Sequence, residues 1–271
     1  MFGLGVWSVE FQNIIFEKKG NTAFITMNRP DNFNSLNPDL TIEITSAVDL
    51  CCSDGEVRVI VLTGSGKAFC SGGDIKFFSS APPGRPDKPF EEILPLLNRL
   101  ILSIRQAPQP VLAAVNGVAA GAGVPLALSC DLRIASDRAK FKLAYTSLGL
   151  PPDGGSTLLL ALAAGFSRAC EMVFLDPVYD ARQALEAGLV HRVVEAEKFE
   201  GAVRELAGQL AAGPAKALAI AKAELNQAFL SLLEKQLEAE RKGVLEASLT
   251  EDYREGLMAF LEKRSPVFKG R

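Results

Sequence analysis

Two glycine-rich segments carry the clearest chemical signal in this sequence, residues 69–74 (FCSGGD) and 116–123 (NGVAAGAG). Each directly follows an apolar run that predicts a buried strand. Small side chains let the backbone approach a ligand closely and leave its N–H groups unobstructed. If a helix begins near Gly121, its first amides have no intrahelical acceptor and could stabilise an oxyanion that develops during a reaction. The alternative is that both segments are tight strand-to-helix turns.

One acid close to these segments in the expected fold is Asp153, in GLPPDGGS. From the residue alone, two interpretations stay open. It could cap a helix that begins after Gly155, a common position for aspartate. It could also serve as an acid and base, because the leucines and prolines beside it would form apolar surroundings that raise the pKa of a carboxyl towards neutrality.

Three better-known motifs are incomplete or missing. The segment GSGK at 64–67 resembles the end of a phosphate-binding loop, but Val61 stands where that loop needs glycine and Ala68 where it needs Ser or Thr. The segment GAGVPL at 121–126 lacks the third glycine of a dinucleotide fingerprint. The serine-hydrolase pattern GxSxG does not occur. His191 is the only histidine, which disfavours both a catalytic triad and a metal site.

The elements that would position these residues form an α/β pattern. Two strand-like runs surround Gly20 and Asn21, which indicates a hairpin. Asn37 followed by Pro38 is typical of a helix N-cap, and that helix should end near Cys52. The order strand, glycine-rich loop, helix then repeats, with strands predicted at 57–64, 110–117 and 132–136 and a helix whose apolar face is Ile93, Leu97, Leu100 and Ile104.

From about Ala196 the pattern becomes helical. One helix is marked by Phe199, Val203, Leu206 and Leu210, and another by Ala221, Leu225, Phe229 and Leu232. We therefore divide the chain into an α/β core, residues 1–195, and a helical C-terminal region, residues 196–271, with a role in assembly.

Composition excludes several classes of protein. With 48% hydrophobic and 23% charged residues, and no apolar run approaching the roughly 20 residues of a membrane span, a soluble globular protein is expected. The net charge of −3 argues against a nucleic-acid binder. Five cysteines without CxxC spacing indicate reduced thiols. The first twenty residues lack a signal-peptide pattern, so a cytoplasmic protein without a membrane partner is expected.

Three segments together resemble the crotonase, or enoyl-CoA hydratase/isomerase, superfamily: KAFCSGGDI (67–75), AVNGVAAGAGVPLALSCD (114–131) and KFKLAYTSLGLPPDGGST (140–157). The similarity extends from Ile14 to the C-terminal DYREGLMAFLEKRSPVFKGR. It implies a spiral of ββα units and a helical C-terminal region that builds homotrimers, often paired into hexamers. It also implies an acyl-CoA thioester as the substrate, with no further cofactor.

The resemblance also implies catalytic roles. The backbone N–H groups of Gly73 and Ala122 would form an oxyanion hole for the thioester carbonyl oxygen. In the family's hydratases two glutamates activate water, but those positions hold Pro125 and Tyr145 here. Neither residue is a carboxylate base, which disfavours syn-hydration of an enoyl-CoA.

In two groups of family isomerases a single acid at the position of Asp153 moves a proton between carbons. These are the enoyl-CoA isomerases of fatty acid metabolism and the ring-opening isomerases of bacterial phenylacetate degradation, and this chain is most similar to the second group. The prediction is a shuttle in which Asp153 removes a proton from C2 or C4 and returns it at the other end of the dienolate.

Further residues are predicted to bind substrate: Phe33, Ser35, Ala68, Ser71, Gly72, Asp74, Ile75, Tyr145, Phe260 and Lys263. By the resemblance, the backbone near Phe33 and Ser35 would cradle the CoA adenine, and Phe260 and Lys263 would meet its adenine and phosphate, commonly from a neighbouring subunit. Alternatives stay open for several of them. Asp74 could be a turn or helix cap, and Tyr145 could be a packing residue. Phe260 and Lys263 could belong to an ordinary helix face with a solvated lysine.

Three functions remain open at this stage. The first is a double-bond isomerase that uses Asp153. The second is another crotonase reaction, such as hydration or thioester hydrolysis. The third is a protein that binds acyl-CoA, or serves assembly, without catalysis.

Overall fold

A computed structural model describes residues 10–271. Residues 1–9 lie outside the described part of the chain. They belong to the N-terminal segment in which no signal peptide is expected. The strands are β1 (Ile14–Lys19), β2 (Thr22–Met27), β3 (Val59–Gly64), β4 (Ala68–Cys70), β5 (Val111–Val115), β6 (Val118–Ala120), β7 (Leu132–Ser136), β8 (Lys140–Lys142), β9 (Tyr179–Asp180) and β10 (Arg192–Val194). The helices are α1 (Pro38–Ser53), α2 (Ile75–Ser79), α3 (Lys88–Gln106), α4 (Gly123–Ser129), α5 (Ser156–Ala164), α6 (Phe166–Leu175), α7 (Ala181–Glu186), α8 (Phe199–Ala211), α9 (Ala215–Gln227), α10 (Leu230–Ala247) and α11 (Glu251–Glu262).

The strands form two sheets that the chain visits in turn. The larger sheet has the order β1-β2-β3-β5-β7-β10, and the smaller one has the order β4-β6-β8-β9. From β3 to α6, each turn of the chain adds one strand to the larger sheet, one short strand to the smaller sheet, and then a helical segment. The last strands reverse this order, because β9 joins the smaller sheet before α7 and β10 joins the larger sheet after it. The predicted α/β spiral of ββα units is therefore confirmed. Strand β6 lies inside the second predicted glycine-rich segment, and β4 overlaps the start of the first one.

Local signals at the start of the chain are confirmed. Strands β1 and β2 pair antiparallel around Gly20 and Asn21. The side chain of Asn37 accepts a hydrogen bond from the N–H of Leu40 at 3.0 Å, which caps α1. Strand β3 is buried along almost its whole length because helices cover both faces of its sheet.

Helix α4 begins two residues later than predicted. Its first residue is Gly123, and Ala122 occupies the N-cap position with φ of −59°. The turn needs the left-handed backbone of Gly121, with φ of +50°, before the helix can start. The N–H of Ala122 therefore precedes the helix and lies outside its hydrogen-bond ladder.

The predicted helix through Ala221 and Leu232 is wrong, because the segment contains two helices. Helix α9 ends at Gln227, and α10 starts after Phe229, whose φ of −140° is not helical. Leu225 and Leu232 are 69% and 51% exposed, so they do not form a buried face in the single chain. Phe229 and Leu230 pack against the main apolar core, and buried polar contacts to α3 also hold this junction.

Arg105 of α3 makes several of the contacts at the junction between α9 and α10. Its guanidinium donates to the side chain of Asn226 in α9 and lies 5.4 Å from the ring centre of Phe229. Lys222, also in α9, is buried and donates to the backbone carbonyl groups of Ile104 and Gln109 at 3.0 and 2.9 Å. A hydrophobic pattern cannot reveal packing that uses buried cations and amides.

Helix α8 packs against the larger sheet. Its Ala202, Val203 and Ala207 form an apolar cluster with residues of β3, β5 and β7. The residues of this helix belong to the predicted C-terminal region, and the division of the chain at residue 195 stays a prediction. Among residues 10–271, no helix is both long and apolar enough to cross a membrane.

Candidate active site

A cavity of about 470 Å³ lies between the two glycine-rich segments and the C-terminal helix α11. Its wall is mostly apolar and comes from α2, α3, α11 and the turn that follows β8. The residues that line it include Leu36, Ser71, Gly72, Gly73, Ile75, Phe78, Phe90, Leu94, Leu97, Gly121, Ala122, Tyr145, Leu148, Leu150, Asp153 and Phe260. A cavity of this size suits a small-molecule substrate.

The two glycine-rich segments touch each other at this cavity. A Cβ atom on Gly72 would lie 3.0 Å from the carbonyl oxygen of Ala120 and 3.1 Å from Cα of Gly121. Gly72 also has φ of +97°, which side chains rarely tolerate. The absence of a side chain is therefore what allows the two backbones to come together.

This contact brings two unpaired amides to the cavity wall. Among the described residues, no group accepts a hydrogen bond from the N–H of Gly73 or of Ala122. One neighbour of each is paired: the N–H of Asp74 donates to the carbonyl of Leu36 at 2.8 Å, and that of Gly121 donates to the carbonyl of Lys142 at 3.1 Å. Ala122 is buried and Gly73 is half-buried. Because folded proteins leave few such backbone N–H groups unpaired, two unpaired amides on one cavity wall fit a binding site for an oxygen atom.

Asp153 lines the same cavity. Its Oδ1 accepts a hydrogen bond of 2.6 Å from the hydroxyl of Tyr145. Burial in the apolar wall raises the pKa of Asp153 from its ordinary value of 3.8 to about 7, although the hydrogen bond from Tyr145 lowers it. The negative charge of Glu240 adds to the increase. A carboxyl with this pKa can both take and return a proton near neutral pH.

The alternative role of Asp153 as a helix cap is wrong for its side chain. Gly155 is the N-cap of α5 and no side chain of that turn caps the helix. Instead, the carboxylate of Glu240 in α10 accepts from the N–H groups of Gly155 and Thr157, at 2.6 and 2.9 Å. The role of Glu240 could not be predicted from the sequence, because no local pattern connects it with Gly155, 85 positions away.

An aromatic cluster forms another part of the wall. The rings of Phe78 and Phe90 stack with their centres 4.5 Å apart. A Cβ atom on Gly73 would lie 2.4 Å from the ring of Phe78, so this ring covers the glycine whose amide is unpaired. Neither phenylalanine was predicted as a site residue, although Phe78 follows Ile75 at a helical spacing of three that could have suggested a shared face.

The predicted substrate-binding residues fall into two groups. Five of them line the cavity: Ser71, Gly72, Ile75, Tyr145 and Phe260. The other five lie outside its wall: Phe33, Ser35, Ala68, Asp74 and Lys263. Of these, Phe33 and Lys263 are exposed, and their contact with CoA stays a prediction.

The side chain of Asp74 holds local structure together. Its side chain accepts from the N–H of Lys76 at 3.0 Å, which caps α2, and it forms an ion pair of 2.8 Å with Arg29. These contacts match the alternative reading of Asp74 as a cap. They also hold the end of the first glycine-rich segment in place.

Two other potentially reactive residues have surroundings that do not suit catalysis in the cavity. Burial raises the pKa of the Cys70 thiol to about 12, so it stays protonated and is not an activated nucleophile. The ring of His191 accepts a hydrogen bond of 3.1 Å from the N–H of Arg133 and lies away from the cavity wall. Neither residue contributes to chemistry in the cavity.

Asp153→Asn is expected to raise the stability of the folded protein at neutral and higher pH but not in acid. The carboxyl has a pKa of about 7 when folded and an ordinary value of 3.8 when unfolded, so the folded state binds more protons between these values. The parent therefore loses stability as the pH rises through that window, and asparagine avoids this loss. The shift corresponds to about 4 kcal/mol of stability for a fully buried group. Because the carboxyl lines a cavity, we expect solvent screening to lower the gain to about 1–2 kcal/mol. Urea unfolding of both proteins across this pH range measures the difference, and a difference independent of pH would contradict the assignment.

Comparison with known proteins identifies the class that this fold and site belong to. The family profile described as Enoyl-CoA hydratase/isomerase matches residues 17–271. The chain belongs to the enoyl-CoA hydratase/isomerase family, which has the crotonase fold, and its activity falls within the hydratase and isomerase reactions of that family.

Individual relatives carry both names. The chain is 38% identical over 247 residues to the 1,2-epoxyphenylacetyl-CoA isomerase of Escherichia coli (strain K12). The aligned residues cover 91% of this chain and 94% of that protein. It is 40% identical over 263 residues to a probable enoyl-CoA hydratase of Rhodobacter capsulatus, and the aligned residues cover 97% of this chain and 100% of that protein. The crystal structure of an enoyl-CoA hydratase from Mycobacterium avium subsp. paratuberculosis K-10 matches with a TM-score of 0.88, 36% identity and coverage of 96% and 100%. The choice between the two reactions therefore depends on the residues of the site.

Proposed function

We propose that the protein is an acyl-CoA isomerase that shifts a double bond, with Asp153 as its single acid and base. One observation carries the proposal: among the described residues, Asp153 is the only carboxylate that lines the cavity, and the unpaired amides of Gly73 and Ala122 line it too. Hydration by two glutamates would need carboxylates where the chain has Pro125 and Tyr145. A single acid suits proton transfer within the substrate.

The reaction follows from this arrangement. The amides of Gly73 and Ala122 hold the thioester carbonyl oxygen of a 3-enoyl-CoA. Ionised Asp153 removes a proton from C2, and the electron pair moves onto the oxygen, where the two amides stabilise the dienolate. The protonated carboxyl then returns the proton to C4, and the double bond moves from C3–C4 to C2–C3. The pKa of about 7 allows Asp153 to perform both steps.

A second substrate class is supported by the aromatic cluster. The stacked rings of Phe78 and Phe90 offer flat apolar surfaces that suit a ring-derived acyl group. A relative named 1,2-epoxyphenylacetyl-CoA isomerase is 38% identical to this chain. We therefore include rearrangement of a ring-derived thioester at the same oxyanion site and the same acid.

The product of a linear 3-enoyl-CoA tests the proposal. Formation of the conjugated 2-enoyl-CoA is followed by its ultraviolet absorbance, and mass spectrometry identifies the product. Isomerisation leaves the mass unchanged, hydration adds one water, and hydrolysis releases CoA. In deuterated water, a single base predicts that some product keeps the original proton. Binding without conversion of linear or ring-derived thioesters would instead support a binding protein.

Assembly into a homotrimer, or a dimer of trimers, forms part of the same proposal. Phe166, Phe174 and Leu175 of α6 are 77%, 73% and 75% exposed in the single chain, and large apolar side chains clustered on one helix are typical of an interface. Light scattering after gel filtration is expected to give three or six times the 29.0 kDa of one chain. Phe174→Glu is expected to lower that mass. If the parent protein itself ran as a 29.0 kDa monomer, the proposal would be contradicted.

A further inference from the structure

The two oxygens of the Asp153 carboxyl have different surroundings. The hydroxyl of Tyr145 donates to Oδ1 at 2.6 Å. Among the described residues, no group donates a hydrogen bond to Oδ2. Because the residue lines the cavity, the second oxygen is the one left for a substrate.

Tyr145 is held rigidly where it makes this contact. The residue before it, Ala144, has φ of +54°, a backbone conformation that is costly for alanine. The side chain of Asp176 holds that conformation, because its Oδ1 accepts from the N–H of Ala144 at 2.7 Å. The carbonyl of Tyr145 accepts from the N–H groups of Leu148 and Leu150 at 2.8 and 3.1 Å.

The side chain of Tyr145 has little freedom to turn away. It is only 6% exposed and belongs to the main apolar core. Strained backbone that its surroundings hold in place is often found at functional sites. Here the strain at Ala144 orients one hydroxyl towards one carboxylate oxygen.

We propose that Tyr145 is a positioning residue: its hydroxyl holds Oδ1 of Asp153, so that Oδ2 alone faces the substrate carbons between which the proton moves. This inference rests on the proposed role of Asp153 as the acid and base. A fixed orientation matters because one oxygen must reach both C2 and C4 in turn, and small misplacements of a catalytic group lower the rate strongly.

The same hydrogen bond influences the charge of Asp153. A donor to the ionised carboxyl stabilises it and lowers its pKa, which opposes burial and the negative charge of Glu240. Burial and the charge of Asp153 raise the pKa of Tyr145 well above its ordinary value, so its hydroxyl remains a donor. The other polar side chain close to this hydroxyl is Ser156, whose own hydroxyl donates to the backbone carbonyl of Asp153 at 2.6 Å.

Tyr145→Phe tests the proposal, since it removes the hydroxyl and keeps the ring. We expect kcat on the alkaline plateau to fall about tenfold or more, with KM little changed, because the carboxyl loses its fixed orientation. We also expect the acid limb of the kcat profile to move up by about one pH unit, because the ionised carboxyl loses a donor. A limb that stays in place would overturn the proposal.

Tyr253→Phe is the matched control. The Tyr253 hydroxyl is buried and has no hydrogen-bond partner among the described residues, and its ring packs edge-on against Phe90 at 5.5 Å. Both variants remove one buried hydroxyl, but only the first removes a contact with Asp153. The control is expected to keep the parent's kcat and pH profile, and an equal shift in both variants would reduce Tyr145 to a packing role.

A titration without turnover separates this inference from the proposed function. The carboxyl carbon of Asp153 is followed by NMR in protein labelled with ¹³C-aspartate, and its signal is identified by its loss in Asp153→Asn. A higher pKa in Tyr145→Phe than in the parent supports the contact, and an unchanged pKa overturns it. If Asp153→Asn kept full isomerase activity, the proposed function would fail, whatever the titration gave.

Discussion

Asp153→Asn is expected to lower kcat for isomerisation of a 3-enoyl-CoA by about 10³-fold or more. Asparagine has nearly the same shape but cannot accept a proton at neutral pH. Among the described residues, no other carboxylate lines the cavity to replace it. The amides of Gly73 and Ala122 are untouched, so affinity for CoA thioesters should change by no more than about twofold.

The control for this variant is Asp54→Asn. Asp54 forms an ion pair with Lys18 at the end of α1 and does not line the cavity, so its loss should leave kcat unchanged. A measured gain in stability of Asp153→Asn at neutral pH, as expected above, would separate a loss of rate from a loss of fold. Isomerisation at the parent's rate by Asp153→Asn would mean that another group carries the proton.

Gly123→Ala is expected to lower kcat by about 10²–10³-fold, the effect typical of losing one oxyanion donor. An added Cβ would lie 2.2 Å from the carbonyl oxygen of Cys70, a contact that the backbone cannot accept. The start of α4 would have to move away from β4, and the N–H of Ala122 would move with it. The two amides would then no longer converge on one oxygen atom.

Two further alanine variants separate this effect from general damage. Gly117→Ala creates a clash of 2.0 Å with the carbonyl of Lys67, between the same two chain segments but away from the amides. It should lower the melting temperature about as much as Gly123→Ala and kcat much less. Gly208→Ala in α8 meets nothing within 4 Å and should raise stability by about 0.5–1 kcal/mol. If Gly117→Ala and Gly123→Ala lost equal activity, the oxyanion assignment would lack support.

The difference between Asp153 and Asp74 illustrates how a motif can leave the role of a residue open. Both acids stand beside glycine pairs, in SGGD and PDGG. Asp74 caps α2 and pairs with Arg29, whereas the side chain of Asp153 caps nothing and lines the cavity. The difference arises because Glu240 takes over the capping of α5, which leaves the Asp153 carboxyl without an ordinary structural role.

The sequence by itself determined the features that depend on neighbouring residues. The hairpin at Gly20 and Asn21 and the cap at Asn37 follow from turn and capping chemistry, which acts over a few positions. The glycine-rich segments likewise predicted bare backbone at the site, because only glycine permits the close contact between residues 72 and 121.

Only the tertiary structure decided how the residues of the candidate site are arranged. The break between α9 and α10 depends on buried polar contacts to Arg105, which apolar periodicity does not describe. The pKa of Asp153 depends on its burial and on Glu240, and its orientation on Tyr145. These are contacts and dielectric surroundings supplied by segments distant in the chain, so they exist only once the chain has folded.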